Sequence, residues 1–344
     1  MFFPHHHQKS ESVDTGANQQ GEHQRVGTAG TPERAELAGS EKSDEMTRVQ
    51  KLFALHHVLK LTEAQAESFL LKNGRGAANL LAAFRTSGAV RYLREATEKW
   101  PADPQIAFEA LTDTGLTAAA ERRQWVDTFK KASPDNSAGN YLSAIQHFRD
   151  GSKDTAIAEL EIAFGKSKFD DMTLTRMQGN EEAYRSSGLS EPESHVAAMF
   201  QLTLPLLNEM RFLGKQMDVL SQSYIQEGDI ASAEATVKIA LNLGEQYRAS
   251  GKALLVHQQL GWDIGENVLR TLDPSSPFGR GDHTVQRALD SIKQERHGIS
   301  TLLRASVPFQ DRMEPNDWIV YTDRMKMLGE PNAMQWLLSK YHGQ

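Results

Sequence analysis

The run Gly165-Lys166-Ser167 has the residue types that end a phosphate-binding loop, in which backbone amides and a lysine hold phosphate groups. Such a loop also requires a glycine at position 160 and a strand before it, but the chain has Leu160 there, within a helical pattern. The Gly-x-Gly of residues 73–77 also lacks a preceding strand. We therefore interpret both segments as connections between helices, with Gly165 at a helix C-terminus.

The histidines and acidic residues lack the spacing of a metal site. The chain contains neither His-Glu-x-x-His nor Glu-x-x-His, the usual single-helix signatures of a zinc protease and of a di-iron bundle. His56 and His57 are neighbours and therefore lie on different helix faces. There is also no cysteine nucleophile and no Gly-x-Ser-x-Gly elbow. The sequence predicts no catalytic residue, no metal and no cofactor.

Charge argues against nucleic acid as a partner. The formal net charge is −7, and the basic pairs at 122–123 and 130–131 are interrupted by Glu121 and Asp127. Arg280-Gly281-Asp282 spells an integrin-binding tripeptide, but Asp282 is explained more simply as a helix N-cap. We expect a protein or peptide partner and no nucleic acid.

Length and composition describe an ordinary globular chain. It has 344 residues, 39% of them hydrophobic, and no cysteine, which excludes a disulfide framework. No apolar run is long enough for a transmembrane helix. The start, MFFPHHHQK, is unlike a secretory signal, which predicts a cytoplasmic protein; if the true start lies upstream, the protein is exported or tethered to a membrane.

Four segments are expected along the chain. Residues 1–45 are polar and acidic without apolar periodicity, which predicts a disordered tail. Residues 46–273 have helical periodicity, 274–282 form a linker loop rich in Pro and Gly, and 283–344 form a C-terminal helical cap. The helix after Asp282 is expected to run to about Arg304.

Local signals indicate helices throughout. Thr62 with Gln65 and Ser190 with Glu193 have the spacing of capping boxes, which start helices. Sustained two-residue alternation of β-branched and aromatic residues is absent. The prediction is an all-α protein.

The predicted helices contain an internal repeat. Pro101 and Pro134 stand 33 residues apart, a period typical of helical repeats. Two segments share one template, with residues at the same offsets of 0, 3, 7, 12, 16 and 19: Ala144, His147, Gly151, Ala156, Leu160 and Ala163 in one, and Ser221, Tyr224, Gly228, Ala233, Val237 and Ala240 in the other.

These segments resemble the tetratricopeptide repeat (TPR), in which small residues let helix A and helix B pack closely and a glycine turns the chain between them. The resemblance covers about 134–168 and 211–245, and is loose over 77–104. Its departures include Lys168 in place of the terminal proline, and a 169–210 interval that does not fit one repeat. The resemblance implies a TPR-like α-solenoid of antiparallel helix pairs with degenerate repeats, in which residues 46–273 form the helical repeat domain.

In the TPR family, helix A residues opposite the packing face line a ligand groove. Transferred by offset, the partner-binding residues would be Tyr141, Ile145, Phe148, Asp218, Gln222 and Ile225. The function this implies is a noncatalytic scaffold that holds a peptide or protein segment in a solenoid groove. Two alternatives are a helical enzyme such as a cell-wall lytic transglycosylase, and a purely structural spacer subunit.

Overall fold

A computed structural model describes residues 44–53, 59–113, 119–248, 254–278 and 283–342. Within these ranges the chain forms 16 helices and no strand, which confirms the all-α prediction for them. Helix α1 covers 44–53, and the others are α2 (Glu63–Asn73), α3 (Ala77–Ser87), α4 (Val90–Lys99), α5 (Pro104–Thr112), α6 (Ala119–Ala132), α7 (Ser137–Arg149), α8 (Lys153–Phe164), α9 (Thr173–Ser186), α10 (Glu191–Phe200), α11 (Leu206–Gln226), α12 (Ile230–Arg248), α13 (Leu255–Leu269), α14 (Val285–Gln310), α15 (Pro315–Leu328) and α16 (Glu330–Tyr341). Most of the predicted tail, 1–43, lies outside the described residues.

Both predicted capping boxes are present. The Thr62 hydroxyl accepts from the Gln65 amide at 3.2 Å, and the Gln65 side chain accepts from the Thr62 amide at 2.9 Å. Ser190 and Glu193 form the same reciprocal pair at the start of α10. These contacts satisfy amides that a helix start otherwise leaves unpaired.

The start and end of α14 differ from the prediction. Its N-cap is Thr284, whose hydroxyl accepts from the Arg287 amide at 3.3 Å. The helix runs to Gln310, beyond the expected end near Arg304. Ser306 is buried and Phe309 packs against a hydrophobic core, so tertiary contacts favour these extra turns, and Pro308 lies within the last of them. Of the predicted linker, 279–282 lie outside the described residues.

Two hydrophobic cores organise these helices. The first core unites the N-terminal helices with α9, α10, α15 and α16, and includes Phe69, Tyr92, Tyr184 and Trp318. The second core unites α5–α8 with α11–α14, and includes Phe129, Tyr141, Met217 and Val237. Because α15 and α16 belong to the first core, the C-terminal helices share it with the N-terminal ones.

The chain leaves the second core and returns to it. Helices α7 and α8 pack against each other, and α11 and α12 pack on them, α7 against α11 and α8 against α12. Between these two pairs, α9 contacts α2 and α3, while α10 contacts α15. The order of packing therefore differs from the order of the sequence.

The two segments that share the repeat template form equivalent helix hairpins. Gly151 and Gly228 turn the chain with φ angles of 76° and 78°, in the left-handed region that favours glycine. The small and apolar template positions are buried in both hairpins: Ala144, Ala156, Leu160 and Ala163 in the first, and Ser221, Ala233, Val237 and Ala240 in the second.

Candidate functional site

The structure divides the six predicted partner-binding residues between core and surface. Tyr141 and Ile145 are 0% and 1% exposed, because α7 is covered by α6, α8 and α11. The Tyr141 hydroxyl donates to Gln246 of α12 at 3.3 Å. Phe148, Asp218 and Ile225 are half-buried, and Gln222 is exposed. These last four are the predicted residues that a partner can reach.

Asp218 lines a cleft of about 660 Å³ between α11 and α13. Gly214 lies at the contact of these helices, where an added Cβ would come within 2.7 Å of Ile264. Arg211 and Lys215 line this cleft as well, opposite Asp263 and Glu266 of α13. The cleft therefore carries charges of both signs beside apolar side chains.

A more apolar groove lies between α12, α13 and α14. It begins with the crossing of α12 and α13, where Gly244 and Gly261 bring the two backbones into close contact. Gly265 follows one turn later on α13, and a Cβ there would meet Leu241 of α12 at 3.2 Å and Ile292 of α14 at 3.3 Å. Glycines thus form the floor, and side chains of the flanking helices form the walls.

The groove consists of two adjoining pockets of about 560 and 570 Å³, which share the residues Glu245, Arg248, Trp262 and Glu295. The apolar lining of the first pocket comprises Phe164, Leu241, Trp262, Leu269, Phe278, Ala288 and Ile292. Ile299 and Leu302 continue this lining into the second pocket. At the edge, Phe164 of α8 is 46% exposed, so its ring adds accessible apolar surface to the groove.

The charged groups of the groove are already paired. Arg248 forms ion pairs with both Glu245 and Glu295, and the Trp262 indole donates to Glu295 at 3.0 Å. Lys238 lies 3.6 Å from Glu234. The groove therefore offers apolar surface with balanced charge, divided midway by the Arg248–Glu295 pair.

Sequence reasoning missed this groove. The available signal was the presence of glycines at 244, 261 and 265 inside helical segments, where glycine is unfavourable unless backbones approach closely. The six-residue prediction used the repeat offsets instead, which do not include α13 or α14.

Two buried charge clusters link helices that contribute to the first core. Glu109 of α5 lies 3.0 Å from Arg85 of α3 and 3.2 Å from Arg176 of α9. Burial opposes ionisation of Glu109, but the two guanidinium groups hold its pKa below the ordinary value. Arg176 also donates to the Thr203 carbonyl at 2.9 Å, so the cluster joins three helices and a loop.

The second cluster lies where α15 meets α9 and α10. Lys326 contacts Glu181 at 2.8 Å, and His195 lies 2.6 Å from the Thr322 hydroxyl. Since that hydroxyl donates to the Trp318 carbonyl, it accepts from Nδ1–H of His195. Burial raises the pKa of Glu181 to about 6 and lowers the pKa of His195 to about 4. Because the polar side chains of this cluster bind one another, we interpret the cluster as a structural contact between the helices.

The described residues contain no group of three or more acidic or histidine side chains placed to hold a metal ion. None of the described helices is long and apolar enough to cross a membrane. Comparisons with protein-family models, with curated proteins and with solved structures give no match for this chain.

Proposed function

We propose that this chain is a noncatalytic interaction protein that binds an apolar, uncharged peptide segment of a protein partner in the groove between α12, α13 and α14. The observation that carries the proposal is the glycine floor of this groove beneath apolar walls, with Phe164 left exposed at its edge. Exposed apolar surface of this kind marks interaction sites in proteins.

The shape of the groove favours a peptide over a compact small molecule. Its two adjoining pockets could each take one apolar side chain, while the peptide backbone crosses between them. At that crossing, Arg248 can donate to a peptide carbonyl and Glu295 can accept from a peptide amide.

The charge balance of the groove defines the occupant further. Because Arg248 and Lys238 are already paired with glutamates, a charged ligand side chain would have to replace an existing ion pair. An uncharged segment with apolar side chains would leave these pairs intact. The TPR-like hypothesis supports the same function, since such helix pairs serve as frames for peptide grooves.

The test is selection of peptides from a displayed random library on the purified protein, followed by affinity measurement with a labelled selected peptide. Ser291 is exposed on α14 and lines the groove. Ser291→Trp should fill the first pocket and weaken binding by about ten-fold or more, since a blocked anchor pocket costs more than about 1 kcal/mol.

Gln294→Trp is the matched control, because Gln294 is exposed on the same helix and does not line either pocket. It should leave the affinity unchanged. A library that yields no apolar consensus, or a selected peptide that binds S291W as well as the original protein, would contradict the proposal and favour a structural spacer.

A further inference from the structure

A separate cavity of about 350 Å³ lies where the connection from α8 enters α9 and meets the first turn of α13. Its polar lining comes from Lys168, Asp170, Asp171, Thr173, Thr175 and His257. Phe169 and Leu174 supply apolar walls. Phe169 packs edge-on against Tyr247, whose ring in turn lies 4.8 Å from the His257 ring.

Buried polar atoms without hydrogen-bond partners collect at this cavity. The Thr173 hydroxyl and Nε2 of His257 are both without a partner, and their residues are only 3% and 4% exposed. The Tyr247 hydroxyl behind His257 also lacks a partner. Buried polar groups are nearly always hydrogen-bonded, so these atoms are available to bind a molecule that enters the cavity.

The carboxylate of Asp171 faces the same cavity without a permanent counter-charge. One of its oxygens accepts from the Thr173 amide at 3.1 Å, and the other lies 3.3 Å from Nε2 of His257. Burial lowers the pKa of His257, which favours the neutral imidazole, although Asp171 acts in the opposite direction. No lysine or arginine in the described ranges is within ion-pair distance of Asp171.

We propose that this cavity binds an alkylammonium group, with its three N–H donors directed at Asp171, His257 and Thr173. An ammonium has three donors and no acceptor, and the cavity offers a carboxylate oxygen, a hydroxyl oxygen and, in the Nδ1–H tautomer of His257, the Nε2 lone pair. The walls formed by Phe169 and Leu174 would contact the alkyl stem, as apolar surface does for lysine stems in proteins.

Two other ligand classes fit the cavity less well. An anion could use the amides at the start of α9, but Asp170 and Asp171 already accept from the Met172 and Thr173 amides and would repel it. A metal ion would need more ligands than this group supplies. Lys168 also lines the cavity, but it is 60% exposed and lies 4.0 Å from Asp170. Asp171 is therefore the carboxylate that favours a cation able to donate hydrogen bonds.

The ammonium could belong to a free amine or to a lysine side chain of a peptide. The experiment titrates the labelled protein with butylammonium chloride and, separately, with Nα-acetyl-lysine methylamide, while the His257 imidazole resonances are followed by NMR. We expect saturable shifts of His257 with at least one probe. Tighter binding of the lysine derivative would identify a peptide source, and equal or tighter binding of butylammonium would identify a free amine.

Butanol and Nα-acetyl-norleucine methylamide are the neutral controls, and neither should shift His257. Asp171→Asn should weaken ammonium binding by about ten-fold or more, because a hydrogen bond to a charged group is lost. Asp170→Asn, at the more exposed carboxylate, should weaken it by less than about three-fold. If D171N does not fold, Thr173→Val, which removes one acceptor, should weaken binding instead.

The proposal is overturned if neither ammonium probe shifts His257, if the neutral analogues bind equally well, or if D171N binds with unchanged affinity. Saturable binding of inorganic phosphate in place of the amines would also overturn the proposal. The same holds if the cavity is occupied by water alone in the presence of the amines.

Discussion

Gly244 of α12 and Gly261 of α13 face each other so closely that a Cβ on either residue would lie 2.6 or 2.5 Å from the carbonyl oxygen of the other. The obstructing atoms are backbone, so a side chain here cannot be accommodated by a change of rotamer. The crossing of the two helices, and with it the groove beside them, depends on the absence of side chains at both positions.

Gly244→Ala is therefore expected to destabilise the protein by about 1–3 kcal/mol, the usual effect of overpacking. The measurement is the urea midpoint of unfolding. Gly298→Ala on α14 is the control, since nothing lies within 4 Å of the added Cβ. It should raise stability by up to about 1 kcal/mol, because alanine is favoured over glycine within helices. Equal effects of the two substitutions would disprove the close crossing.

Ala233→Leu should also destabilise the protein by about 1–3 kcal/mol, because Ala233 is fully buried where α12 packs against its neighbours. Ala231→Leu serves as control, since Ala231 is exposed two residues earlier on the same helix. An unchanged thermal midpoint for A233L would show that the repeat positions are assigned to the wrong register.

Glu109→Gln should cost about 3–5 kcal/mol, because it leaves the buried guanidinium groups of Arg85 and Arg176 without their shared carboxylate. Chemical unfolding at neutral pH measures this loss. Glu67→Gln removes a carboxylate from ion pairs whose side chains are 36% exposed or more, and should cost less than about 1 kcal/mol. A small effect of E109Q would mean that water reaches the cluster.

His195 should make the protein less stable as the pH falls. Because its pKa is lowered from 6.5 to about 4 in the folded state, the unfolded state binds the proton first, and stability is lost from about pH 6.5 downward. Glu181 acts in the opposite direction, since its raised pKa of about 6 adds stability as the pH falls toward 4.5. The shift of His195 is the larger of the two.

His195→Asn keeps a donor for Thr322 and removes the titrating group. It should reduce the loss of unfolding free energy between pH 6.5 and 4.5 by about 2 kcal/mol relative to the original protein. His297→Asn, at an exposed position of α14, should leave that pH dependence as it is. The same slope in H195N and the original protein would refute the assignment.

Helical class and many helix starts could be predicted because they depend on residues close together in the sequence. Thr62 caps α2 through an amide three residues away, and Gly151 turns the chain through its own backbone angles. The burial of Ala156 and Ala233 was predictable from the repeat offsets for the same reason. The end of α14 could not be predicted, because the helix is extended past Arg304 by contacts with first-core residues that are distant in the sequence.

The sequence by itself determined that the described chain is helical, where two of its helix hairpins turn, and which small residues those hairpins bury. Only the tertiary structure decided that α9 and α10 join the first core and that Tyr141 and Ile145 are buried. It also decided that glycines of α13 form the floor of a groove. It also brought Asp171 to His257 across four intervening helices. Capping, turn formation and packing within one helix hairpin are local, whereas the burial of other side chains and their convergence depend on which distant helices pack together.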